Sequence, residues 1–249
     1  MIILKSRQEI EKMRKSNALV AAILEELKKK IRPGVKTIEL DRLSEEMALK
    51  KGARPAFKGY RGYPYSLCTS VNSEVVHGMP SERELKEGDI VSLDFGILND
   101  GYYGDAAVTV PVGEITPAAR KLLKVTEEAL YRGIAEVRAG NRIGDISAAI
   151  QGHVEAAGYS VVRDLVGHGI GKSLHEDPQV PNYGTSGRGV ELKPGMAFAI
   201  EPMVNEGTYR VDILRDGWTV VTADGKLSAH FEHSVAITEN GPVILSRIG

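Results

Sequence analysis

Four stretches of the chain space apolar residues three or four positions apart, which is the pattern of a helix with one buried face. The first begins at the capping-box sequence Ser6–Glu9 and is predicted to run until Pro33-Gly34 stops it. Three more helices are predicted at residues 37–51, 116–137 and 143–157, and the third of the four opens with threonine followed by proline. The pattern therefore predicts two pairs of helices.

Between and after these helix pairs, the sequence changes to glycine, proline, tyrosine and β-branched residues, which are typical of strands and turns. Ile90–Asp94 and Ala106–Val110 lie on either side of Asn99-Asp-Gly101, a sequence that favours a tight hairpin turn. A second strand-rich stretch follows the fourth helix. The order of two helices followed by strands occurs twice, which indicates an α+β fold.

The two strand-rich stretches also contain related sequences. Leu85–Asp94 and Leu192–Glu201 both begin with Leu-Lys-x-Gly, and both have an acidic residue six positions after that glycine. Val76–Gly78 and Gly167–Gly169 both contain histidine followed by glycine. The second stretch is longer between these motifs, and we place its extra residues in a loop at 172–189, which is rich in Gly, Pro, Asn and Ser.

A repeated order of elements with matching histidines and acids predicts an internal duplication. We therefore expect a single domain over residues 1–249, formed by halves at about 1–112 and 113–249 that are related by a pseudo-twofold axis. The chemical residues of both halves would meet near that axis, and a site is expected there. Duplication alone is equally consistent with a purely architectural role.

Composition narrows the class of protein. The 249 residues are 42% hydrophobic and 26% charged, so the chain can bury a large core. A formal net charge of −1 gives no general attraction to nucleic acid or to an anionic membrane. Cys68 is the only cysteine, and neither a signal peptide nor a membrane-spanning apolar run is recognisable. We expect a cytoplasmic protein with no membrane partner and no specific nucleic-acid partner.

Four acidic residues lie in apolar strand-like sequence. Asp94 and Asp105 flank the predicted turn at positions that place them on the same face of a hairpin. Glu201 ends one apolar run and Glu232 lies in another. Each acid taken alone is more often a core carboxylate satisfied by hydrogen bonds. Together with His168, however, they supply enough oxygen and nitrogen ligands for two divalent ions.

Eight short motifs occur in an order that identifies a family. They are Gly59-Tyr-Arg-Gly-Tyr-Pro64, Val71-Asn72 with Glu74-Val-Val-His-Gly78, Asp94-Phe-Gly96, Gly104-Asp105, Gly167-His-Gly-Ile-Gly171, His175-Glu-Asp-Pro178, Ile200-Glu-Pro202 and Phe231-Glu-His233. On these motifs the chain resembles the bacterial type I methionine aminopeptidases along essentially its whole length. The resemblance implies the pita-bread fold of that superfamily, with two helix-helix-strand halves around a dinuclear metal site.

The resemblance also assigns roles to individual residues. It implies the five metal ligands Asp94, Asp105, His168, Glu201 and Glu232, which is the set reached above from the residues, with Asp105 and Glu232 bridging two divalent ions. Cobalt, manganese, iron and zinc all suit such ligands. It further implies, in some members, a monovalent cation near Asn72.

Three residues are implied to act in catalysis. His175 would donate a hydrogen bond to the carbonyl of the scissile peptide bond, His77 would contact its nitrogen, and Glu201 would carry the proton. The substrate pocket implied by the resemblance is lined by Phe57, Tyr60, Tyr63, Cys68, His77, Leu174, His175 and Trp218. This sequence departs from the family at two of these positions, because Leu174 stands where phenylalanine is common and Phe57 where some members have cysteine.

The resemblance implies a metalloaminopeptidase that removes the initiator methionine from nascent proteins and prefers a small second residue. Two alternatives are an Xaa-Pro aminopeptidase or prolidase-like peptidase and a non-catalytic pita-bread binding protein. The expected partners are the N-termini of nascent polypeptides and, through a transient contact, the ribosome. Lysines 28–30 are candidates for that contact, although such a run also suits a solvated helix end. We expect a monomer.

Overall fold

A mixed sheet covered by two helix pairs forms the framework of the computed structural model, which describes residues 1–247. The helices in this range are α1 (Arg7–Lys28), α2 (Thr37–Lys50), α3 (Pro117–Ala135) and α4 (Ile143–Ala156), with one 3-10 turn at Tyr60–Gly62. The strands are β1 (Arg54–Pro55), β2 (Leu67–Val71), β3 (Glu74–Val76), β4 (Ile90–Asn99), β5 (Tyr102–Pro111), β6 (Ser160–Val161), β7 (Gly167–Gly169), β8 (Glu176–Val180), β9 (Ala197–Ile200), β10 (Met203–Asn205), β11 (Val211–Ile213), β12 (Val220–Thr222), β13 (Ser228–His230), β14 (Glu232–Thr238) and β15 (Gly241–Ile244).

The helix starts agree with the sequence signals. The Ser6 hydroxyl accepts a hydrogen bond from the Glu9 backbone N–H, and the Glu9 carboxylate accepts one from the Ser6 N–H at 2.9 Å, so the capping box is confirmed. The Thr116 hydroxyl caps α3 in a similar way. The predicted end of α1 at Pro33-Gly34 was wrong. The helix ends at Lys28, because the backbone then tightens into a turn in which the Lys30 N–H reaches the Leu27 carbonyl.

The central sheet joins the two parts of the chain side by side. Its main strand order is β1-β4-β5-β14-β9-β7-β8, with β2 added to β4 and β15 added to β14. Strands of the first stretch therefore lie on one side, strands of the second lie on the other, and β5 and β14 form the seam. Each side has its own apolar core, one between β4–β5 and α1–α2 and one between β9–β14 and α3–α4. Division into halves at 1–112 and 113–249 stays a prediction.

The β4–β5 hairpin fixes the first two acidic side chains. Its two-residue turn, Asp100-Gly101, has both φ angles positive at 48° and 77°, as the favoured hairpin turn requires. The register places Asp94 opposite Ala107 and Gly96 opposite Asp105, so both carboxylates project from the same face. The prediction that these acids share a face is confirmed.

Residues 172–189 are not the continuous loop that the sequence predicted. Glu176–Val180 form β8, which pairs antiparallel with β7 at the edge of the sheet and buries Val180 completely. Because proline is rare inside strands, the sequence did not predict this one, which forms by pairing with β7 at the edge of the sheet. Among residues 1–247, no helix is both long enough and apolar enough to cross a membrane.

Candidate metal centre

The five predicted ligands come from five adjacent strands. In sheet order these strands are β4, β5, β14, β9 and β7, and one predicted ligand lies on each strand or directly after it. The residues are Asp94 on β4, Asp105 on β5, Glu232 at the start of β14, Glu201 directly after β9 and His168 on β7. All five side chains line the same cavity.

Distances within the cluster bring four of these side chains together. The Nε2 atom of His168 lies 3.6 Å from Oε1 of Glu201 and 3.9 Å from Oδ2 of Asp105. Ligand atoms of Asp105, His168 and Glu232 all lie within 4.8 Å of one another. The Nδ1 atom of His168 is 2.9 Å from the Gly169 carbonyl oxygen, which can only accept a hydrogen bond. This contact leaves the lone pair of Nε2 pointing into the cluster, as metal ligation needs.

The carboxylates of the cluster are suited to binding a metal, because they lack hydrogen-bond partners and lie beside other carboxylates. Oδ1 of Asp94, Oδ1 of Asp105 and Oε1 of Glu232 are buried and have no hydrogen-bond partner among residues 1–247. Burial raises the pKa of Asp94 to about 7. Burial, and then the neighbouring carboxylates, raise the pKa of Asp105, Glu201 and Glu232 well above the usual range. Four buried acids without counter-charge are costly, and divalent cations supply the missing charge.

A cavity of about 180 Å³ opens above the cluster. All of the residues predicted for the metal centre, for catalysis and for the substrate pocket line it. The sequence did not indicate five further lining residues, which are Arg61, Val76, Leu165, Val166 and Met203. Four of these are apolar and adjoin predicted residues in sequence or space, so adjacency to a motif was the only signal available.

Two histidines that are not in the ligand set face the cavity. The ring of His175 stacks on Tyr60 with centroids 5.2 Å apart, and its Nδ1 lies 2.7 Å from the Tyr60 hydroxyl. Desolvation, followed by the nearby His168 and Arg61, lowers the pKa of His175 to about 3. His77 has a positive φ of 58° and makes an edge contact with Trp218, and burial lowers its pKa. Both rings are therefore neutral at pH 7.

The apolar end of the cavity is formed by aromatic and aliphatic side chains. The Tyr63 hydroxyl donates to the carbonyls of Leu67 and Gly78, both at 3.2 Å, which turns the ring edge toward Trp218 at 5.1 Å. Cys68 is buried behind this ring, and desolvation raises the pKa of its thiol. Leu174 is 2% exposed and closes the opposite side.

One buried histidine at the site was missed. His230 is 1% exposed, neither of its ring nitrogens has a hydrogen-bond partner within residues 1–247, and Nε2 lies 3.8 Å from Oε2 of Glu201. Desolvation lowers the pKa of His230 to about 3. The sequence contained a signal, because His230 directly precedes the Phe231-Glu-His233 motif. We attributed that stretch only to Glu232.

Fold and site together define the class of protein, a metal-dependent hydrolase with the pita-bread fold. The family model for metallopeptidase family M24 matches residues 11–239. A Clostridium perfringens methionine aminopeptidase is 57% identical over 100% of both chains. The crystal structure of a Thermotoga maritima methionine aminopeptidase is 52% identical, covers 100% of both chains and has a TM-score of 0.98. A Bacillus anthracis Xaa-Pro dipeptidase is 26% identical, with a TM-score of 0.80 and 62% of its own chain covered.

The chain belongs to metallopeptidase family M24 and, within it, to the methionine aminopeptidases. The prediction from the eight motifs is thereby confirmed, and so is the pita-bread fold. The Xaa-Pro peptidases share that fold, but their similarity in sequence is about half as great.

Proposed function

We propose that this chain hydrolyses the peptide bond after an N-terminal methionine, and that its substrates are the N-termini of newly made proteins. One observation carries the proposal. The five proposed ligands, of which Asp105, His168 and Glu232 are buried, line one cavity together with the largely apolar side chains of Tyr63, Leu174 and Trp218. A peptide whose first residue has a free amino group and an unbranched apolar side chain can contact both the metal centre and the apolar wall of this cavity.

The ligand set that we propose is Asp94, Asp105, His168, Glu201 and Glu232, with Asp105 and Glu232 shared between two ions. Divalent ions held there supply Lewis-acid activation of water near neutral pH. The paired positions of β5 and β14 support the bridging role, since Glu232 is opposite Ala107 and Asp105 lies two residues away on the same face. Cobalt, manganese, iron and zinc remain candidates for the metal.

Three residues are proposed to act on the substrate. His175 donates a hydrogen bond to the scissile carbonyl oxygen, which stabilises the negative charge that develops there by up to about 3 kcal/mol. His77 contacts the scissile nitrogen from the opposite side of the cavity. Glu201 moves a proton toward that nitrogen, a role supported by its carboxylate, which lines the same cavity as His77 and His175.

Substrate selection is proposed to rest on Phe57, Tyr60, Tyr63, Cys68 and Trp218, together with Leu174 and the two histidines. Most of these side chains are aromatic or aliphatic, which favours an apolar, flexible thioether over a charged side chain. A small second residue is expected because His175 and Tyr60 lie together beside the metal centre and restrict the space next to the scissile bond.

The remaining predictions concern ions and partners. Both polar side-chain atoms of Asn72 are engaged, one with the Ile90 N–H and one with Asp89, so a monovalent cation there would rely on backbone carbonyls. Lys28 and Lys29 form ion pairs with glutamates one turn earlier in α1, which favours the solvated-helix interpretation over ribosome contact. The ribosome contact, the monomeric state and the cytoplasmic location stay predictions.

The test measures release of the first residue from Met-Gly-Met-Met, Met-Lys-Met-Met and Ala-Pro-Ala by metal-stripped protein, with and without added manganese or cobalt. We expect metal-dependent release of methionine from the glycine peptide and at least about tenfold slower release from the lysine peptide. Release from Ala-Pro-Ala alone would assign the protein to the Xaa-Pro peptidases. Absence of release with every metal would favour a binding protein.

A further inference from the structure

We propose that Tyr60, besides forming a wall of the substrate pocket, fixes the tautomer of His175 so that Nε2 carries the proton donated to the substrate carbonyl. Tyr60 would then be a positioning residue that acts through His175. The inference rests on the proposed function, because it explains how His175 can serve as a donor there. Its basis is the 2.7 Å contact between the Tyr60 hydroxyl and Nδ1 of His175.

A neutral imidazole has one N–H and one lone pair, so the partner of one nitrogen decides what the other can do. In a neutral His175 ring the proton lies on either Nδ1 or Nε2, and Nδ1 is the nitrogen that faces the Tyr60 hydroxyl. If Nδ1 held the proton, Nε2 would offer a lone pair to a carbonyl oxygen, and the two would repel. His175 can therefore donate to the carbonyl only when Nδ1 accepts.

His168 provides the opposite case within contact distance. The two rings have centroids 4.2 Å apart, yet their Nδ1 atoms face different partners. Nδ1 of His168 faces the Gly169 carbonyl, an obligate acceptor, so its Nε2 is left with a lone pair for metal. Nδ1 of His175 faces a hydroxyl, which can donate. The two adjacent rings thus have different Nδ1 partners, an obligate acceptor for His168 and a hydroxyl able to donate for His175, and we assign His175 the tautomer in which the hydroxyl donates.

The direction of the Tyr60 hydrogen bond follows from its surroundings. Among residues 1–247, the Tyr60 hydroxyl has no protein partner other than His175, so no other protein group competes for its proton. The Arg61 guanidinium lies over the Tyr60 ring at 5.4 Å, and a positive charge there stabilises electron density on the phenol oxygen when it donates. Both features favour the hydroxyl as donor to His175.

The backbone around Tyr60 holds the hydroxyl at this position. Gly59 and Gly62 have φ angles of 84° and 92°, which reverse the chain on each side of the ring. Two hydrogen bonds close the turn, from the Tyr60 N–H to the Phe57 carbonyl at 2.8 Å and from the Gly59 N–H to the Tyr63 carbonyl at 2.7 Å. The ring is therefore presented on a tight turn whose geometry does not depend on its hydroxyl.

The kinetic test is Tyr60→Phe, which removes the hydroxyl and keeps the aromatic ring. In the metal-loaded enzyme we expect kcat for Met-Gly-Met-Met to fall about tenfold with KM within about twofold, because the pocket wall remains and the tautomer is lost. The matched control is Tyr102→Phe. It removes a hydroxyl that donates to the Glu9 carboxylate over the same distance of 2.7 Å, outside the cavity, and we expect kcat to be unchanged.

Two further measurements separate positioning from packing. In a His175→Ala background, adding Tyr60→Phe should change kcat by less than about twofold, because Tyr60 acts through the missing ring. Nitrogen-15 NMR of histidine-labelled, zinc-loaded wild-type protein should show His175 with its proton on Nε2. A proton on Nδ1, or a full tenfold effect in the His175→Ala background, would overturn the proposal. The NMR result decides it even if the wild-type protein releases no methionine, so the two proposals can fail separately.

Discussion

The two sides of the central sheet build their share of the metal centre in different ways. The first side supplies Asp94 and Asp105 from one long hairpin, in which β4 and β5 pair over ten consecutive positions. The second side supplies Glu201, Glu232 and His168 from three strands of four, seven and three residues. The hairpin gives two carboxylates from two paired strands, whereas the second side gives two carboxylates and an imidazole from three shorter strands.

Two sides with similar elements can therefore supply different parts of the site. α2 and α4 are both 14 residues long, and both sides place a helix pair over their strands. The residues proposed to contact substrate are nevertheless divided, since Phe57, Tyr60, Tyr63, Cys68 and His77 belong to the first stretch and Leu174, His175 and Trp218 to the second. We call the first side, with its long hairpin, the continuous side, and the second, with its shorter strands, the interrupted side.

The largest expected effect comes from removing one ligand on each side of the seam. Asp105→Asn and Glu232→Gln should each abolish binding of one ion, and kcat/KM should fall by about 10³ or more, because several kcal/mol of transition-state stabilisation is lost. The number of bound ions is measured by metal analysis and kcat/KM by peptide hydrolysis. The control is Glu239→Gln, which changes an exposed acid beyond β14. Two bound ions in either ligand variant would show that the two sides do not share the centre.

A buried ion pair links the start of the chain to the interrupted side. Nζ of Lys5 lies 2.6 Å from Oε2 of Glu176, the residue after His175, and their side chains are 4% and 8% exposed. Lys5→Met should lower the free energy of unfolding by about 3–5 kcal/mol, since Glu176 is left buried without a counter-charge. Urea unfolding measures the loss.

The double variant Lys5→Met/Glu176→Leu should recover most of that stability, since it leaves no unpaired charge. The matched control is Lys50→Met, whose partner Glu46 is exposed, and a change below about 1 kcal/mol is expected there. Equal losses in Lys5→Met and Lys50→Met would mean that the Lys5 pair does not hold the interrupted side in place.

The hairpin carboxylates should make the metal-free protein sensitive to pH. The pKa of Asp94 is raised by burial to about 7, so the folded state holds a proton that the unfolded chain releases near pH 4. Stability is therefore greatest below about pH 4 and falls as the pH rises through 7. Thermal unfolding of metal-free Asp94→Asn should show a higher Tm than wild type at pH 8 and a similar Tm at pH 4.5. Asp212→Asn, an exposed aspartate, should leave the pH profile unchanged.

The smallest expected effects distinguish the first helix on each side. Ser6→Ala and Thr116→Ala each remove a capping hydroxyl and should lower the free energy of unfolding by about 1 kcal/mol. The α1 cap also includes Glu9, whose pKa is lowered to about 2 by hydrogen bonds from the Ser6 N–H and the Tyr102 hydroxyl. Its contribution is present above about pH 4 and is lost as the pH falls through 2. When stability is measured during acid titration, Glu9→Gln should lack this loss of stability, whereas Thr116→Ala should still show it.

Much of the fold could be predicted because its signals are local. All four helices have regular apolar spacing, and α1 and α3 begin with capping residues. The Asn99-Asp-Gly101 turn sets a hairpin in which parity alone places Asp94 and Asp105 on one face. The four acids of the proposed ligand set could be singled out because acids in apolar strands demand compensation, and their role as ligands stays a prediction. These predictions needed no knowledge of which segments meet.

The rest depended on contacts between distant segments. The strand Glu176–Val180 contains proline and has little alternation, so only the edge of β7 makes it a strand. Tyr60 and His175 are 115 positions apart, and nothing near either residue predicts their hydrogen bond. His230 was missed because its burial against Glu201 depends on how β13 and β9 approach each other.

The seam between β5 and β14 has a consequence for how the protein is made. The hairpin that carries Asp94 and Asp105 leaves the ribosome long before Glu232 is synthesised, and β5 has no neighbour on that side until β14 arrives. A growing chain therefore carries an unfinished, metal-free site throughout most of its synthesis. Any trimming of such a chain while it is being translated must be done in trans, by another copy that has already folded.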